Sequence, residues 1–340
     1  MASSKRGGLA GVIVIGGFVL IWSAMTLTGD GMGAWGAFRQ IQALSFPKVP
    51  GRIVSCAIKP GQTRGHSHIE MEYAYEVAGV AHTGKTYRRG FVNASRKFTH
   101  ALVDSLPAGK VVDVFYNPDD PDDAVLVQGI DGGDLFAAMA LTPFNVVMLA
   151  FWAGIWSRWR YAATGGARHL DDGFLQRVEV RWRPLHKALL AAGAMALAMT
   201  FLFAITTQAS PSLPTAIGAW LLITFTAAAV WMKTAPPFAA GESELVVDRL
   251  NETLTLPVLE NRRSPLTIPW FAIVAIAVDP AGGTSKSRLY VPVALVTGAD
   301  GSQSREKLTP PRAEWSAKSL AEWVRGQILK SRDASASKDV

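Results

Sequence analysis

Residues 188–232 read ALLAAGAMALAMTFLFAITTQASPSLPTAIGAWLLITFTAAAVWM, and no Asp, Glu, Lys or Arg occurs between Lys187 and Lys233. A bilayer core takes roughly 20 apolar residues per helix. The stretch therefore holds two spans, 188–207 and 214–232, separated by the turn Pro211-Ser212-Leu213-Pro214. Working outward, two more charge-free runs, 9–29 and 135–157, meet the same criterion. The expected fold class is an α+β membrane protein. It has four transmembrane helices, a small extracytoplasmic β-rich domain, and a cytoplasmic β-rich domain closed by a C-terminal helix.

Charge sets the expected threading. The net charge is +7, from 34 Lys and Arg against 27 Asp and Glu. The excess is uneven: 30–134 is close to balance, whereas 158–187 is strongly basic, with Arg158, Arg160, Arg168, Arg177, Arg181, Arg183 and Lys187. Basic residues concentrate beside span ends that stay in the cytoplasm. Lys5 and Arg6 thus place the tail 1–8 inside, 30–134 outside, 158–187 inside, the uncharged 208–212 turn outside, and everything after Lys233 inside. Both termini are expected in the cytoplasm. Because the excess lies where orientation requires it, the partner it implies is the lipid bilayer, not nucleic acid. The first run could also be a signal peptide, with Ser23-Ala24-Met25 supplying small residues. It is longer than the roughly 7–15 residues of a signal core, which favours retention. Cys56, the single cysteine, has no intrachain disulfide partner and suits a small buried apolar role.

Between the first two spans the period changes. In the segment 30–49, Trp35, Phe38, Ile41 and Leu44 fall on one helical face, as in a short interfacial helix ending near Pro47 and Pro50. Ile69, Met71, Tyr73, Tyr75 and Val77 then alternate with Glu70, Glu72, Ala74 and Glu76, the repeat of a half-buried strand. Gly79 opens a turn and His82 to Arg88 makes the second strand of a hairpin. Phe98, Ala101, Leu102 and Leu106 indicate one helix, and strands follow at Val111–Phe115 and Ala124–Val127. Residues 50–130 are expected to form a small, mainly β domain tethered at both ends to spans.

Pro47, Pro50-Gly51-Arg52-Ile53-Val54, Tyr73-Ala74-Tyr75-Glu76-Val77, Gly79, and Gly109-Lys110-Val111-Val112-Asp113-Val114-Phe115-Tyr116-Asn117-Pro118 with Pro121 and Ala124-Val125-Leu126 resemble the bacterial domain-of-unknown-function family 3592. The resemblance covers roughly 10–157. It implies a β-rich module between two membrane helices in a bacterial cytoplasmic membrane, and it carries over no activity and no functional residue.

The C-terminal region 241–330 has its own pattern. Glu244–Asp248 and Thr253–Leu256 flank a turn, Ile268–Val278 is β-rich, and Arg288–Val296 and Gln303–Leu308 flank Gly298-Ala299-Asp300-Gly301. After Pro310-Pro311, the residues Trp315, Leu320, Trp323, Val324 and Ile328 fall mostly on one helical stripe. About six strands closed by one helix is similar in plan to pleckstrin-homology-like barrels, which have seven. The small polar stretch 331–340 is expected to be disordered.

Few side chains have the spacing of a reaction centre. His66 and His68 lie one residue apart, with His82 and His100 in the same domain, but no cysteine or carboxylate cluster completes a zinc or copper set. Asp119, Asp120, Asp122 and Asp123 surround Pro121 without the calcium-loop pattern, as in a solvated turn. Neither Gly-x-Ser-x-Gly nor His-Glu-x-x-His occurs. Thr164-Gly165-Gly166 and Ala281-Gly282-Gly283-Thr284-Ser285-Lys286 lack P-loop spacing. The four runs contain no ionisable residue, which disfavours a transport path, and the small residues Ala191, Ala192, Gly193, Ala194, Ala196 and Ala198 allow close helix packing or self-association. Arg158, Arg160, Arg181 and Arg183 among Trp156, Trp159, Tyr161 and Trp182 suit headgroup anchoring. The expectation is a multi-pass, non-catalytic binding or assembly component of the cell envelope with a possible protein partner. No catalytic, cofactor or metal residue is assigned. A membrane enzyme built from His66, His68, Asp119 and Cys56, or a transporter subunit, is the alternative.

Overall fold

The computed structural model describes the backbone of residues 3–60, 67–90, 96–207, 210–259, 262–282, 288–298 and 300–336; within these, the side chains of 3–15, 60, 67–68, 96–97 and 330–336 are left aside. The chain divides into two compact units: 1–148 with 190–227, and 149–189 with 228–340.

The first unit opens with helix α1 (Ser3–Gln42), which runs unbroken through the segment expected to be a separate interfacial helix. Nothing in 30–42 stops a helix, since the first proline after the apolar run is Pro47. Five antiparallel strands follow: β1 (Lys48–Pro60), β2 (Ser67–Val77), β3 (Val80–Gly84), β4 (Val111–Asn117) and β5 (Asp120–Val125), in the order β3-β2-β1-β4-β5, with helix α2 (Arg96–Ser105) between β3 and β4. The β2 alternation holds as expected, with Met71, Tyr73 and Tyr75 buried. Leu102 of α2 and Leu106 just after it cover them, with Ile53 and Val114 completing the core. Ala78 and Gly79 both adopt positive φ, 52° and 84°, the signature of the two-residue turn that matches strand twist. The two edge strands approach each other, for His82 on β3 meets Asp122 on β5 at 2.7 Å.

Helix α3 (Gly132–Arg160) leaves this domain, and α4 (Pro184–Thr206) and α5 (Leu213–Ala239) follow. All three are long and apolar enough to cross a bilayer, and only 11%, 22% and 17% of their apolar windows is buried in the protein. Side chains such as Phe201, Ile205, Leu221 and Phe225 stand exposed. Such apolar surface, uncovered by protein, calls for lipid. Where the helices of this unit meet, packing is close: Ala196 is fully buried among Phe136, Met139, Phe203, Ala219 and Ile223, and a Cβ on Gly193 would stand 3.1 Å from Val146. Trp220 donates its indole N–H to the Leu135 carbonyl at 3.1 Å.

The expectation of four spans is corrected to three among the described residues. The fourth run, 9–29, lies in α1, whose side chains before Gly16 lie outside the described ones, and glycines, Asp30 and Arg39 dilute the remainder. Asp30 accepts a hydrogen bond from Asn145 Nδ2 at 3.0 Å, in the middle of α3.

In the second unit, strands β6 (His169–Asp172) and β7 (Leu175–Glu179) precede α4 in the chain, while β8 (Glu244–Asp248), β9 (Thr253–Leu256) and β10 (Leu266–Pro269) follow α5. Together they form one antiparallel sheet, β10-β9-β8-β7-β6, with Leu175 opposite Asp248 and Glu179 opposite Glu244. The basic 158–187 connection, read from sequence as a loop, thus carries two strands of this sheet. Its arginines masked the alternation of Val178 and Gln176, which are buried. A second sheet holds β11 (Ile273–Gly282), β12 (Leu289–Thr297) and β13 (Gln303–Lys307), with the short β14 (Arg312–Ala313) paired to β12. Among the described residues the unit has nine strands in two sheets, seven of them within 241–330, where the sequence suggested about six. Helix α6 (Glu314–Ala336) closes it through Leu320, Val324 and Ile328, which are buried beside Leu254, Leu256 and Ala294. The helix runs into the stretch expected to be disordered from Ser331; 337–340 lie outside the described residues.

Candidate functional site

The densest constellation of buried charge lies in the first unit, where the end of α1, the chain after β3 and the start of α3 converge. The local sequence explains the convergence. Asp131-Gly132-Gly133-Asp134 caps α3: Asp131 Oδ1 accepts from the backbone N–H of Gly133 at 2.8 Å and of Asp134 at 3.2 Å, while Asp134 Oδ2 accepts from the Asp131 N–H at 3.0 Å. This is a reciprocal capping box, with carboxylates at the positive end of a helix dipole.

Arg88 inserts into that cap. Its side chain is only 2% exposed, and its two terminal nitrogens stand 2.6 Å from Asp131 Oδ2 and 2.6 Å from Asp134 Oδ2. One of them also donates to the Gly129 carbonyl at 3.1 Å. Fully buried Gln40 of α1 donates to the carbonyls of Val127 at 2.9 Å and Gly129 at 2.8 Å, and accepts from the Arg89 N–H at 2.9 Å. Asp123 on β5 pairs with Arg39 of α1 at 3.0 Å and with Arg89. Glycines admit the approach: a Cβ on Gly90 would collide with Asp134 Oδ1, and one on Gly36 would stand 3.3 Å from the Arg89 carbonyl oxygen.

Arg39, Arg88 and Arg89 thus face Asp123, Asp131 and Asp134, and the charges cancel. Each carboxylate of the cluster is paired with a guanidinium, and these contacts tie the five-stranded domain to α1 and α3.

The residues singled out in sequence fall elsewhere. His66 lies outside the described residues. The His68 backbone pairs with Lys59 on β1, its side chain being outside them too. His82 stacks on Tyr75 with ring centroids 5.7 Å apart, and His100 is exposed on α2. Asp119 is in the β4–β5 turn, its N–H bonded to the Asn117 side chain at 3.2 Å, while Asp122 and Asp123 leave the acidic knot for His82 and the two arginines. Cys56 on β1 is half-buried, and burial pushes its thiol upward. Among the described residues no group of three or more His, Cys, Asp or Glu stands where it could hold a metal ion. Thr164-Gly165-Gly166 closes a 3-10 turn, Ala162–Thr164, that follows α3, with positive φ at both glycines, 65° and 82°. Gly282 ends β11, and 283–287 lie outside the described residues.

Sequence reasoning missed the cluster because its members are far apart in the chain and ordinary in type. One local signal was available: an Asp-x-x-Asp cap immediately before an apolar run.

These features define a class: an α+β protein with three apolar helices of membrane-spanning length and a five-stranded module locked to one of them. Residues 49–131, from β1 to the cap of α3, match a family model described as Domain of unknown function (DUF3592). The match takes in Arg88, Arg89, Asp123 and Asp131, and leaves Arg39, Gln40 and Asp134 outside it. No curated protein and no solved structure matches the chain.

Proposed function

We propose that this is a multi-pass protein of the cell envelope that holds a rigid β module on one face of a membrane and a second β module on the other, as a non-catalytic binding or assembly component. The buried Arg88–Asp134 pair carries the reading. A module tied to its helices by buried charge keeps a fixed pose, which suits presenting a surface to a partner. The threading has separate support. Strands β7 and β8 pair across the α4–α5 hairpin, so 169–179 and 244–248 share one face, as two crossings require. An odd number of crossings by α3, α4 and α5 supports opposite faces for 49–131 and 241–330. The basic excess of 158–187 favours the cytoplasm for its own face. Affinity purification of the tagged chain in mild detergent tests the role. A stoichiometric partner that survives washing and is lost when the β1–β5 module is replaced by an unrelated domain is expected. Recovery of the chain alone across growth conditions contradicts it.

One observation favours a second reading, a proton or cation path. Asp30 meets Asn145 in the middle of a helix of spanning length, where ionisable side chains mark ion routes. Ion flux into vesicles reconstituted with the protein, lost in Asp30→Asn, would establish that path; wild-type vesicles as tight as protein-free ones exclude it.

A further inference from the structure

Five arginines of the second unit pair with carboxylates: Arg168 and Arg183 with Glu179, Arg177 with Asp172 and Glu244, Arg262 with Glu306, and Arg305 with Asp279. Two that approach the first turn of α6 are different. Arg158, on the last turn of α3, lies over the Trp315 ring with 4.6 Å from guanidinium carbon to centroid. Arg312, on β14, is half-buried and donates to Ser316 Oγ at 3.3 Å, while its buried Nε finds no acceptor. No carboxylate pairs with either among the described residues. Burial lowers the Arg312 guanidinium to about 10, the cost of a cation held from water without a counter-charge.

The backbone between them is built to a fixed shape. Ser316 Oγ donates to the Gly165 carbonyl at 2.5 Å, and a Cβ on Gly165 would overlap Ser316. Gly166 lies against the Trp315 ring, where a Cβ would stand 3.4 Å away. The α3 terminus, the Gly165-Gly166 turn and the α6 start thus meet around Trp315 and Ser316, with two uncompensated guanidiniums on either side.

We propose that Arg158 and Arg312, beside Trp315, form a binding site for the phosphate of an anionic membrane lipid. Guanidinium suits a phosphate by its fork of donors, and Trp315 holds the Arg158 plane in place. A lipid is the source that the position favours. Arg158 ends a helix of membrane-spanning length, and Trp156 and Trp159 beside it are 59% and 73% exposed, as in the aromatic belt at headgroup depth. The inference rests on the membrane reading given above. It goes beyond generic anchoring, since Arg160 and Arg181, equally close to helix ends, lie outside the cluster.

The test uses the full chain in detergent, probed by native mass spectrometry with dioctanoyl phosphatidylglycerol and dioctanoyl phosphatidylcholine, and by thermal shift with inorganic phosphate. Preferential retention of phosphatidylglycerol is expected, weakened about tenfold in Arg158→Gln and in Arg312→Gln and unchanged in Arg181→Gln. Should Arg312→Gln fail to fold, Trp315→Leu, at a position 39% exposed, takes its place with a smaller loss expected. Equal binding of phosphatidylcholine, an equal loss in Arg181→Gln, or the same stabilisation by phosphate alone would each overturn the lipid site. A chain that fractionates with soluble proteins would refute the membrane reading itself, whereas a membrane-bound chain without lipid preference refutes only this inference.

Discussion

Arg88 is the least exposed of the three arginines that tie the β1–β5 module to α1 and α3. Replacing it with Leu leaves Asp134, whose side chain is 9% exposed, without its counter-charge, and breaking a buried pair from one side costs about 3–5 kcal/mol. We expect a fall of several degrees in the unfolding midpoint of the detergent-solubilised chain, partly recovered when Asp134→Leu is added, because that removes the stranded charge. If Arg88→Leu unfolds at the wild-type temperature, the cluster is not what fixes the module. A second expectation concerns alkali. Burial pushes the Tyr73 phenol well up, and Tyr75 and Tyr87 in the same direction. Their protons leave the unfolded chain first, so the module keeps full stability below about pH 10 and loses it as pH rises further. Tyr73→Phe should flatten that alkaline limb without abolishing it, read from melting midpoints between pH 8 and 11, while costing about 1 kcal/mol at neutral pH for the lost hydroxyl bond. An unaltered limb would mean that Tyr73 is not part of it. At this scale sequence conveyed burial well, since alternation alone placed Met71, Tyr73 and Tyr75 inside. It conveyed pairing poorly, because Arg88, Asp123 and Asp134 become neighbours only through the fold.

Periodicity made some elements legible and length concealed others. The hairpin β8–β9, the hairpin β12–β13, the α6 stripe and the β2 face follow from side-chain spacing and turn residues. Helix α1 defeated the same reasoning: its apolar run stops at Gly29 while helical geometry continues to Gln42. The continuation brings Asp30 to Asn145 and Gly29 against Leu141, where a Cβ would stand 3.3 Å from Leu141 Cδ2. With Cys56 replaced by Ala, Gly29→Cys and Leu141→Cys should therefore join in an oxidised disulfide, detectable by the altered mobility of the chain cleaved between α1 and α3. Failure to cross-link under oxidant would contradict the pairing of these helices. Strands β6 and β7 were hidden for a different reason. Four residues on an edge strand and five on its neighbour, with arginine among them, carry too short an alternation to stand out from a basic loop.

For the whole molecule, hydropathy decided most of what could be known in advance, because lipid as a solvent imposes length and charge rules that a soluble core does not. Activity was not legible, because no motif in the chain names a reaction and the buried charges become neighbours only through the fold. The central claim is that α3, α4 and α5 thread a bilayer and part the two β modules. Single cysteines in a Cys56→Ala background test it most directly. Val80→Cys at the start of β3, 56% exposed, and Leu250→Cys in the β8–β9 turn, 70% exposed, are labelled with a membrane-impermeant maleimide on intact cells and again after permeabilisation. The account requires position 80 to label on intact cells and position 250 only once the membrane is opened; labelling of both positions from the same face would contradict it.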